Sequence, residues 1–357
     1  MSIKDADANF LPPVETNMVD MIPSTQSATG PVVAGPEQPL GGSLDAGEKR
    51  RSKVLHSAYL HSIQHRHFIL FNVIPLLATM VALASIPLSP PTAANLACFI
   101  LLWGITQFCI VAGYHRYFSH RSYKAHKAVE IFLQIGAMLG GQGGAISWVA
   151  LHRRHHECSD KEGDPHSPRT LEKNWWGKVH GIAHSQFFWM YQHDYPNVMY
   201  YAADLMRNKT VVRLDQYYFH FVAAGLLVPG LICAYFEPTL IGFLKGVLWG
   251  GLVRICALGH AIGAVNSLLH TFGSRAYNTA DNSRNSALFS LLTFGDSWHN
   301  NHHAFPRSAS AGLLWYRPDP AFWIIKLLSI FHLTWDIYVP NRQAINRLHA
   351  FKESPDA

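Results

Sequence analysis

The sequence contains little charge and no organised cysteine chemistry. Only 15% of its 357 residues are Asp, Glu, Lys or Arg, whereas 49% are hydrophobic. The five cysteines form no CxxC pair, and four of them lie in apolar stretches. This pattern argues against a disulfide framework and against a thiolate metal site. The sequence also has no HExxH motif, which argues against a zinc hydrolase, and no GxGxxG nucleotide fingerprint.

The ends of the chain differ in composition from its middle. Residues 1–48 are rich in Pro, Gly, Ser, Thr and Asp and show no apolar periodicity. This composition predicts a disordered tail. It includes no basic segment followed by an apolar core, so we expect no secretory signal peptide. The remaining boundaries are predicted at 49–345 for the main domain and at 346–357 for a C-terminal tail.

The apolar residues concentrate in stretches that are long enough to cross a bilayer, which requires about 20 residues in helical form. Hydropathy predicts four spanning helices, at residues 67–86, 95–114, 217–236 and 240–265. The connections within the first and second pairs of helices carry no Lys or Arg, whereas the segments outside these pairs are basic. By the positive-inside rule, both termini and the large central loop lie in the cytoplasm. Topology therefore explains the net charge of +6 without a nucleic-acid partner.

A further apolar segment, residues 128–150, is interrupted by four glycines around Gln142. Basic stretches flank it on both sides, so both of its ends are expected on the cytoplasmic face. An interrupted apolar segment with its ends on one side favours a re-entrant or interfacial helix over a fifth span.

Three histidine clusters follow apolar segments on the predicted cytoplasmic side. They are HRYFSH (115–120), HRRHH (152–156) and HNNHH (299–303), and the element NSLLH adds Asn266 and His270. The HxxHH spacing places imidazoles on one face of a helix, where they can converge on one point. Imidazole is the commonest metal ligand, and nine imidazoles are too many for one ion. Two metal ions are therefore implied, and a redox metal beside apolar segments indicates oxygen chemistry on lipid.

These motifs resemble the three histidine boxes of the membrane-bound fatty acid desaturases, in the order and spacing of the Δ9 (stearoyl-CoA or acyl-lipid) branch. The resemblance covers about residues 65–340 and includes DPHSPR (164–169) and NSRN (282–285). It implies an all-α integral membrane protein with four transmembrane helices and a cytoplasmic helical cap that holds a di-iron site. Carried over by position, the metal ligands are His115, His120, His152, His155, His156, His270, His299, His302 and His303, with Asn266 acting through water.

The resemblance also implies a reaction. Two iron ions would use O2 and two external electrons to introduce a cis double bond, at Δ9, into a saturated acyl chain. Gln142 and Trp148 stand where the family shapes the bend of the acyl tunnel. Asp296 stands where the family usually has Glu, and we expect it to hydrogen-bond a ligand histidine.

Some positions depart from the animal acyl-CoA enzymes of the family. Gly143, Ala150 and Leu151 replace polar residues that contact the coenzyme A headgroup in those enzymes. The surrounding sequence resembles bacterial and cyanobacterial members, so the acyl carrier is expected to be either CoA or a membrane lipid. The same likeness favours the bacterial inner membrane over the endoplasmic reticulum. Arg254 lies inside the fourth span, where a charge is costly and is usually paired or functional.

No electron carrier is encoded in the sequence, because haem-binding HPGG and ferredoxin cysteine motifs are absent. The resemblance therefore implies a separate donor: ferredoxin, rubredoxin, or cytochrome b5 with its reductase. Two alternatives remain at this stage. A di-iron membrane hydroxylase of lipid or hydrocarbon would share the histidine pattern. A metal transporter would place its ligands nearer the bilayer midplane.

Overall fold

The computed structural model describes residues 52–168 and 174–353, with side chains as far as residue 348. The chain divides into two units, Met1–Leu44 and Asp45–Ala357, and every described residue belongs to the second unit. The predicted tail at 1–48 lies outside the described residues. The predicted C-terminal tail lies partly within a helix that ends at Glu353 and partly outside the described residues.

The described part of the second unit is helical, with four strands of two residues each. The helices are α1 (Ala58–Ser85), α2 (Ala93–Ser119), α3 (Lys127–Met138), α4 (Ala145–Cys158), α5 (Trp175–Ala183), α6 (Trp189–Gln192), α7 (Val198–Tyr201), α8 (Ala203–Arg207), α9 (Lys209–Gln216), α10 (Tyr218–Phe236), α11 (Leu240–Ser267), α12 (His299–Ala304), α13 (Pro320–Ile330) and α14 (Arg342–Glu353). The strands are β1 (Val54–Leu55), β2 (Lys124–Ala125), β3 (Tyr195–Pro196) and β4 (Thr334–Trp335). They form two antiparallel pairs, β1 with β3 and β2 with β4.

Four of these helices, α1, α2, α10 and α11, are long and apolar enough to cross a membrane. This confirms the four predicted spans. Their limits differ from the prediction chiefly in α1, which begins at Ala58 rather than at residue 67. The first turns of α1 carry His61, Gln64 and His65, so hydropathy does not detect them.

Close packing of α10 against α11 depends on glycine. A methyl group at Gly250 of α11 would lie 2.5 Å from Cβ of Pro229 in α10. Small residues at such positions allow transmembrane helices to approach closely. The buried Arg254 then links this pair to the rest of the fold, because its Nη2 donates to the carbonyl oxygens of Leu139 (2.8 Å) and Gly225 (3.1 Å). Arg254 therefore satisfies backbone carbonyls between helices.

The glycine-rich segment predicted as one re-entrant or interfacial helix consists of two helices, α3 and α4, joined by a turn at residues 139–144. Gly141 and Gly143 adopt positive φ angles of 70° and 94°, a region that side chains disfavour. How deeply the segment enters the membrane stays a prediction.

The first turn of α4 is capped from a distant part of the sequence. Its N-cap residue, Gly144, has no side chain to accept a hydrogen bond. The Asp215 carboxylate accepts from Ala145 N at 2.7 Å and from Ile146 N at 3.4 Å. A carboxylate at this end of a helix also interacts favourably with the helix dipole. Asp215 thereby orients the helix that carries HRRHH.

Candidate metal centre

Two groups of buried and partly buried histidines lie where the end of α2, helices α4 and α12, and the residues after α11 meet. The first group contains His115, His120, His152, His156 and His302. Within it, Nε2 of His302 lies 3.0 Å from Nε2 of His115 and 2.9 Å from Nε2 of His156. The Nε2 atoms of His120 and His152 are 2.7 Å apart. All the candidate ligand atoms of this group lie within 4.8 Å of one another.

The second group contains the other four predicted histidines, His155, His270, His299 and His303. Nε2 of His299 lies 2.9 Å from Nε2 of His270 and 3.1 Å from Nε2 of His303. The structure thus brings all nine predicted histidines together and divides them five to four.

Adjacent residues on two helices serve different groups. In α4, His156 belongs to the five-histidine group and His155 to the four-histidine group. In α12, the same division separates His302 from His303. Successive side chains of a helix point about 100° apart, which directs each neighbour to a different centre.

Carboxylates hold the outer nitrogens of four of these rings. Nδ1 of His115 lies 2.9 Å from Asp296, and Nδ1 of His155 lies 3.0 Å from Asp164. The other two pairs are Nδ1 of His270 with Asp160 (2.8 Å) and Nδ1 of His303 with Asp281 (2.7 Å). An ionised carboxylate accepts a hydrogen bond from Nδ1–H, so the proton of a neutral ring stays on Nδ1 and the lone pair is on Nε2.

The resulting arrangement suits a cation. With their Nδ1 protons held by carboxylates, His270 and His303 both present lone pairs to Nε2 of His299, which can donate at most one proton. Nε2 of His155 is buried and has no hydrogen-bond partner among the described residues. Buried polar atoms are normally satisfied, so convergent lone pairs and an unpartnered nitrogen fit a bound metal ion.

Burial also keeps most of these rings neutral. It drives the pKa values of His120, His152, His156, His299 and His302 well below the usual range for histidine. A neutral imidazole has a free lone pair for a metal. Burial would also lower the pKa of His155, but the Asp164 carboxylate beside its ring outweighs that effect and raises it. A raised pKa favours a second proton on the ring, at Nε2. A metal cation bound at Nε2 of His155 would take the place of that proton.

Arg116, in the first histidine motif, connects the end of α2 to residues of the C-terminal region. Arg116 is buried and donates to Asp319 (2.8 Å), to the Ala309 carbonyl oxygen (2.7 Å) and to Asp296 (3.3 Å). Asp296 therefore bridges Arg116 and His115. Because Asp319 also caps α13, this network fixes the end of α2 against the C-terminal region.

A cavity of about 170 Å³ adjoins the histidines. Its wall includes His152 together with the three predicted residues Gln142, Trp148 and Asn266. The Trp148 ring stacks on the His152 ring at 5.1 Å between centroids. Roles for these residues in binding substrate or metal stay predictions. Gly143 and Leu151, two of the positions that depart from the acyl-CoA enzymes, also line the cavity, whereas Ala150 is buried.

Several residues around the site were not predicted. Asp164 and Asp281 lie within or beside the quoted motifs DPHSPR and NSRN, so their proximity to motifs was the available signal. Asp160 carries no such signal. His166, also in DPHSPR, lines the cavity, and its ring lies 4.4 Å from that of His155. His193 lines the cavity as well.

Comparison with known proteins agrees with this geometry. The family model described as "Fatty acid desaturase" matches residues 90–334. The chain belongs to the fatty acid desaturase family.

Three relatives illustrate the range of the family. The hex-5-enoyl-[acyl-carrier protein] acetylenase of Moorena producens (strain JHB) is 37% identical over 305 residues, which is 85% of this chain and 95% of the relative.

The sn-1 stearoyl-lipid 9-desaturase of Anabaena variabilis is 34% identical over 262 residues, covering 73% of this chain and 89% of the relative. Delta-9 acyl-lipid desaturase 2 of Arabidopsis thaliana is 35% identical over 249 residues, covering 70% and 76%. Membership of this family makes the protein a membrane oxidoreductase of acyl chains, with histidine clusters that suit metal ions.

Proposed function

We propose that this desaturase holds two iron ions, one in each histidine group, and introduces a cis double bond at Δ9 into a saturated acyl chain. The overall reaction converts –CH2–CH2–, O2, two electrons and two protons into –CH=CH– and two water molecules. When bound, the iron pair activates O2 and supplies the oxidising power that unactivated methylenes require. The division of nine histidines, six of them buried and three partly buried, into two groups with a cavity adjoining His152 is the observation that carries this proposal.

The protein residues position the ions and the chain. The nine histidines provide nitrogen ligands, and Asn266, one helical turn before His270, is proposed to act through water. The carboxylates of Asp160, Asp164, Asp281 and Asp296 fix the ring orientations, a role whose loss usually weakens metal binding. Gln142 and Trp148 line the cavity wall where the chain would bend, and burial of the histidines keeps bulk water from the reacting carbons.

We further propose that the acyl carrier is not CoA. The cavity wall has Gly143 and Leu151 where acyl-CoA enzymes have polar residues, and no Lys, Arg, Asp or Glu of the described part of the chain lines it. The relatives' names support a membrane lipid or an acyl carrier protein as alternatives.

We place both termini and the histidines on the cytoplasmic side, which the distribution of Lys and Arg supports. A bacterial inner membrane suits the relatives from Moorena and Anabaena. Electrons then come from a separate soluble or membrane donor, namely ferredoxin, rubredoxin or cytochrome b5, that docks on this basic face.

The test is a lipid profile of a host that expresses the wild-type chain, with double bonds located in the lipid, acyl-CoA and acyl carrier protein pools. The His302→Ala variant should abolish new cis-9 products, because His302 contacts two other rings of its group. The matched control, His180→Ala, changes an exposed histidine of α5 and should retain them. Hydroxylated chains as the new products would show that the protein is a hydroxylase and not a desaturase. New double bonds in the acyl-CoA pool before any other would overturn the proposed carrier.

A further inference from the structure

The depth of the cavity is set by three elements that converge on it from the membrane side. Helix α1 contributes Ile63, Gln64 and His67, and α11 contributes Asn266 and Ile262. The turn between α3 and α4 contributes Gln142 and Gly143. At the outer end, Ile63 is 39% exposed and marks the mouth. The cavity thus extends inward by about one turn of each transmembrane helix.

In the next turn of α1 and of α11, buried side chains fill the space. Phe71 follows His67 by one turn of α1, and Leu258 precedes Ile262 by one turn of α11; both are buried. A methyl group at Gly141 would lie 2.9 Å from Cδ1 of Phe71, and one at Gly140 would lie 2.5 Å from Cδ2 of Leu258. The glycine turn therefore packs directly on these two side chains.

The inner wall is also polar. The His67 ring contacts the Tyr218 hydroxyl at 3.0 Å through Nε2, and that hydroxyl accepts from Gly143 N at 3.1 Å. Beside them, the Gln142 amide nitrogen lies 3.5 Å from where a methyl group on Gly259 would be. A long apolar tail gains most from an apolar lining, and this end of the cavity does not provide one.

We propose that the acyl chain ends only a few carbons beyond the bond that reacts, because Phe71, Leu258 and the glycine turn close the cavity just past the metal centre. This inference rests on the proposed function and adds a limit at the methyl end of the substrate. From Asn266 to Ile262 is one helical turn, about 5.4 Å, which is the length of about four methylene groups. With the new bond at Δ9, the protein accordingly takes saturated chains of no more than about 14 carbons.

The first measurement uses wild-type protein in a host supplied with even-numbered saturated fatty acids from hexanoic to stearic acid. Double bonds are located from the methyl end by mass spectrometry. We expect products with no more than about four carbons beyond the new bond, the length allowed by one helical turn. A stearoyl chain desaturated at its middle as fast as the best short chain would overturn the inference, although the desaturase itself would stand.

Binding separates this limit from the chemistry. Metal-free purified protein is titrated with the same fatty acids, and displacement of a fluorescent fatty acid is recorded. We expect affinity to stop rising once the chain fills the cavity. A length optimum without any double-bond formation would support the inference and contradict the proposed function. Affinity that rises steadily to stearic acid would overturn the inference whatever the activity.

Variants test the residues that close the cavity. Phe71→Ala and Leu258→Ala should each raise the relative rate on chains two carbons longer by about tenfold, the effect of burying about two further methylenes. Ile262→Trp, on the cavity wall, should shift preference toward shorter chains. Leu133→Ala is the matched control, because Leu133 is equally buried but packs against Gly113 of α2. An unchanged length preference in both opening variants, with the fold retained, would refute the closure.

Discussion

The two histidine groups differ in how their outer nitrogens are held. In the four-histidine group, three rings contact a carboxylate through Nδ1. In the five-histidine group, His115 is the one ring with such a contact to a described residue, and its partner Asp296 also accepts a hydrogen bond from Arg116. The four-histidine group therefore has fewer imidazoles but more carboxylates around it. The five-histidine group has more imidazoles and less negative charge around them. Nearby anions stabilise a cation by Coulomb attraction, whereas added ligands stabilise it by coordination.

Removing one ligand from each group should have the largest effect. We expect His299→Ala and His120→Ala both to abolish desaturation. They should differ in metal content, because the first leaves three imidazoles in its group and the second leaves four. Mass spectrometric metal analysis of the purified variants should show about half of the metal lost from His299→Ala and less from His120→Ala, since four nitrogens still complete a tetrahedral site. Equal losses would show that ligand number does not distinguish the groups.

Neutralising one carboxylate in each group should have an intermediate effect. Replacing Asp281 by Asn weakens its hold on His303, and we expect metal affinity to fall by about 10- to 100-fold. Asp296→Asn should act less on its metal, because Arg116 already shares that carboxylate, but it should loosen the end of α2. Chelator competition measures the affinities. If Asp296→Asn released metal more readily than Asp281→Asn, the charge contrast between the groups would be wrong.

Acidification of the metal-free protein should reveal the neutral rings. Burial holds the pKa of His120, His152, His156 and His302 below the unfolded value, so between pH 7 and pH 5 the unfolded chain binds more protons than the fold. Stability therefore falls as pH falls below the unfolded histidine pKa, at about 1.4 kcal/mol per pH unit for each such group. Thermal unfolding in detergent across this range measures the slope.

The five-histidine group should contribute more of this slope. His120→Asn should reduce the slope of unfolding free energy against pH by the contribution of about one proton, because it removes a group that takes up a proton on unfolding. His155→Asn is the control from the other group, because the Asp164 carboxylate raises the pKa of that ring and its removal should not reduce the slope. A slope that is identical in all three proteins would mean that the buried rings of the first group are not neutral.

Loss of the remote cap should have the smallest effect and should not distinguish the groups, because α4 carries ligands of both. Asp215→Ala removes the acceptor for two backbone amides and should cost about 1 kcal/mol, the usual loss for a helix cap. Both metals should weaken together. Stability by thermal unfolding and metal retention against a chelator check this. Selective loss from one group would contradict a shared support.

The sequence predicts the parts of this molecule whose signals are local. Four spans follow from hydropathy, and the nine histidines are found by their clustering and by the resemblance to the family's histidine boxes. The expectation that each HxxHH motif converges on one point was wrong, because each motif is divided between the two groups. The start of α1 was missed because its first turns are polar. The five-to-four division could not be predicted, since it depends on how α4 and α12 approach each other.

The supporting residues escaped prediction because they act across long sequence distances. Asp215 caps α4 although it lies 70 residues beyond Ala145, and Asp160 contacts His270 across two intervening spans. The sequence position of neither residue indicates which residue it contacts. Closure of the cavity by Phe71 and Leu258 is of the same kind, because it requires the tertiary packing of three separate elements.

The division of adjacent residues between the two groups has a mechanical meaning. His155 with His156, and His302 with His303, are pairs whose Cα atoms lie 3.8 Å apart across one trans peptide bond. Each pair ties one centre to the other through covalent geometry within a hydrogen-bonded helix. The two helices therefore hold the two histidine groups at a nearly fixed separation.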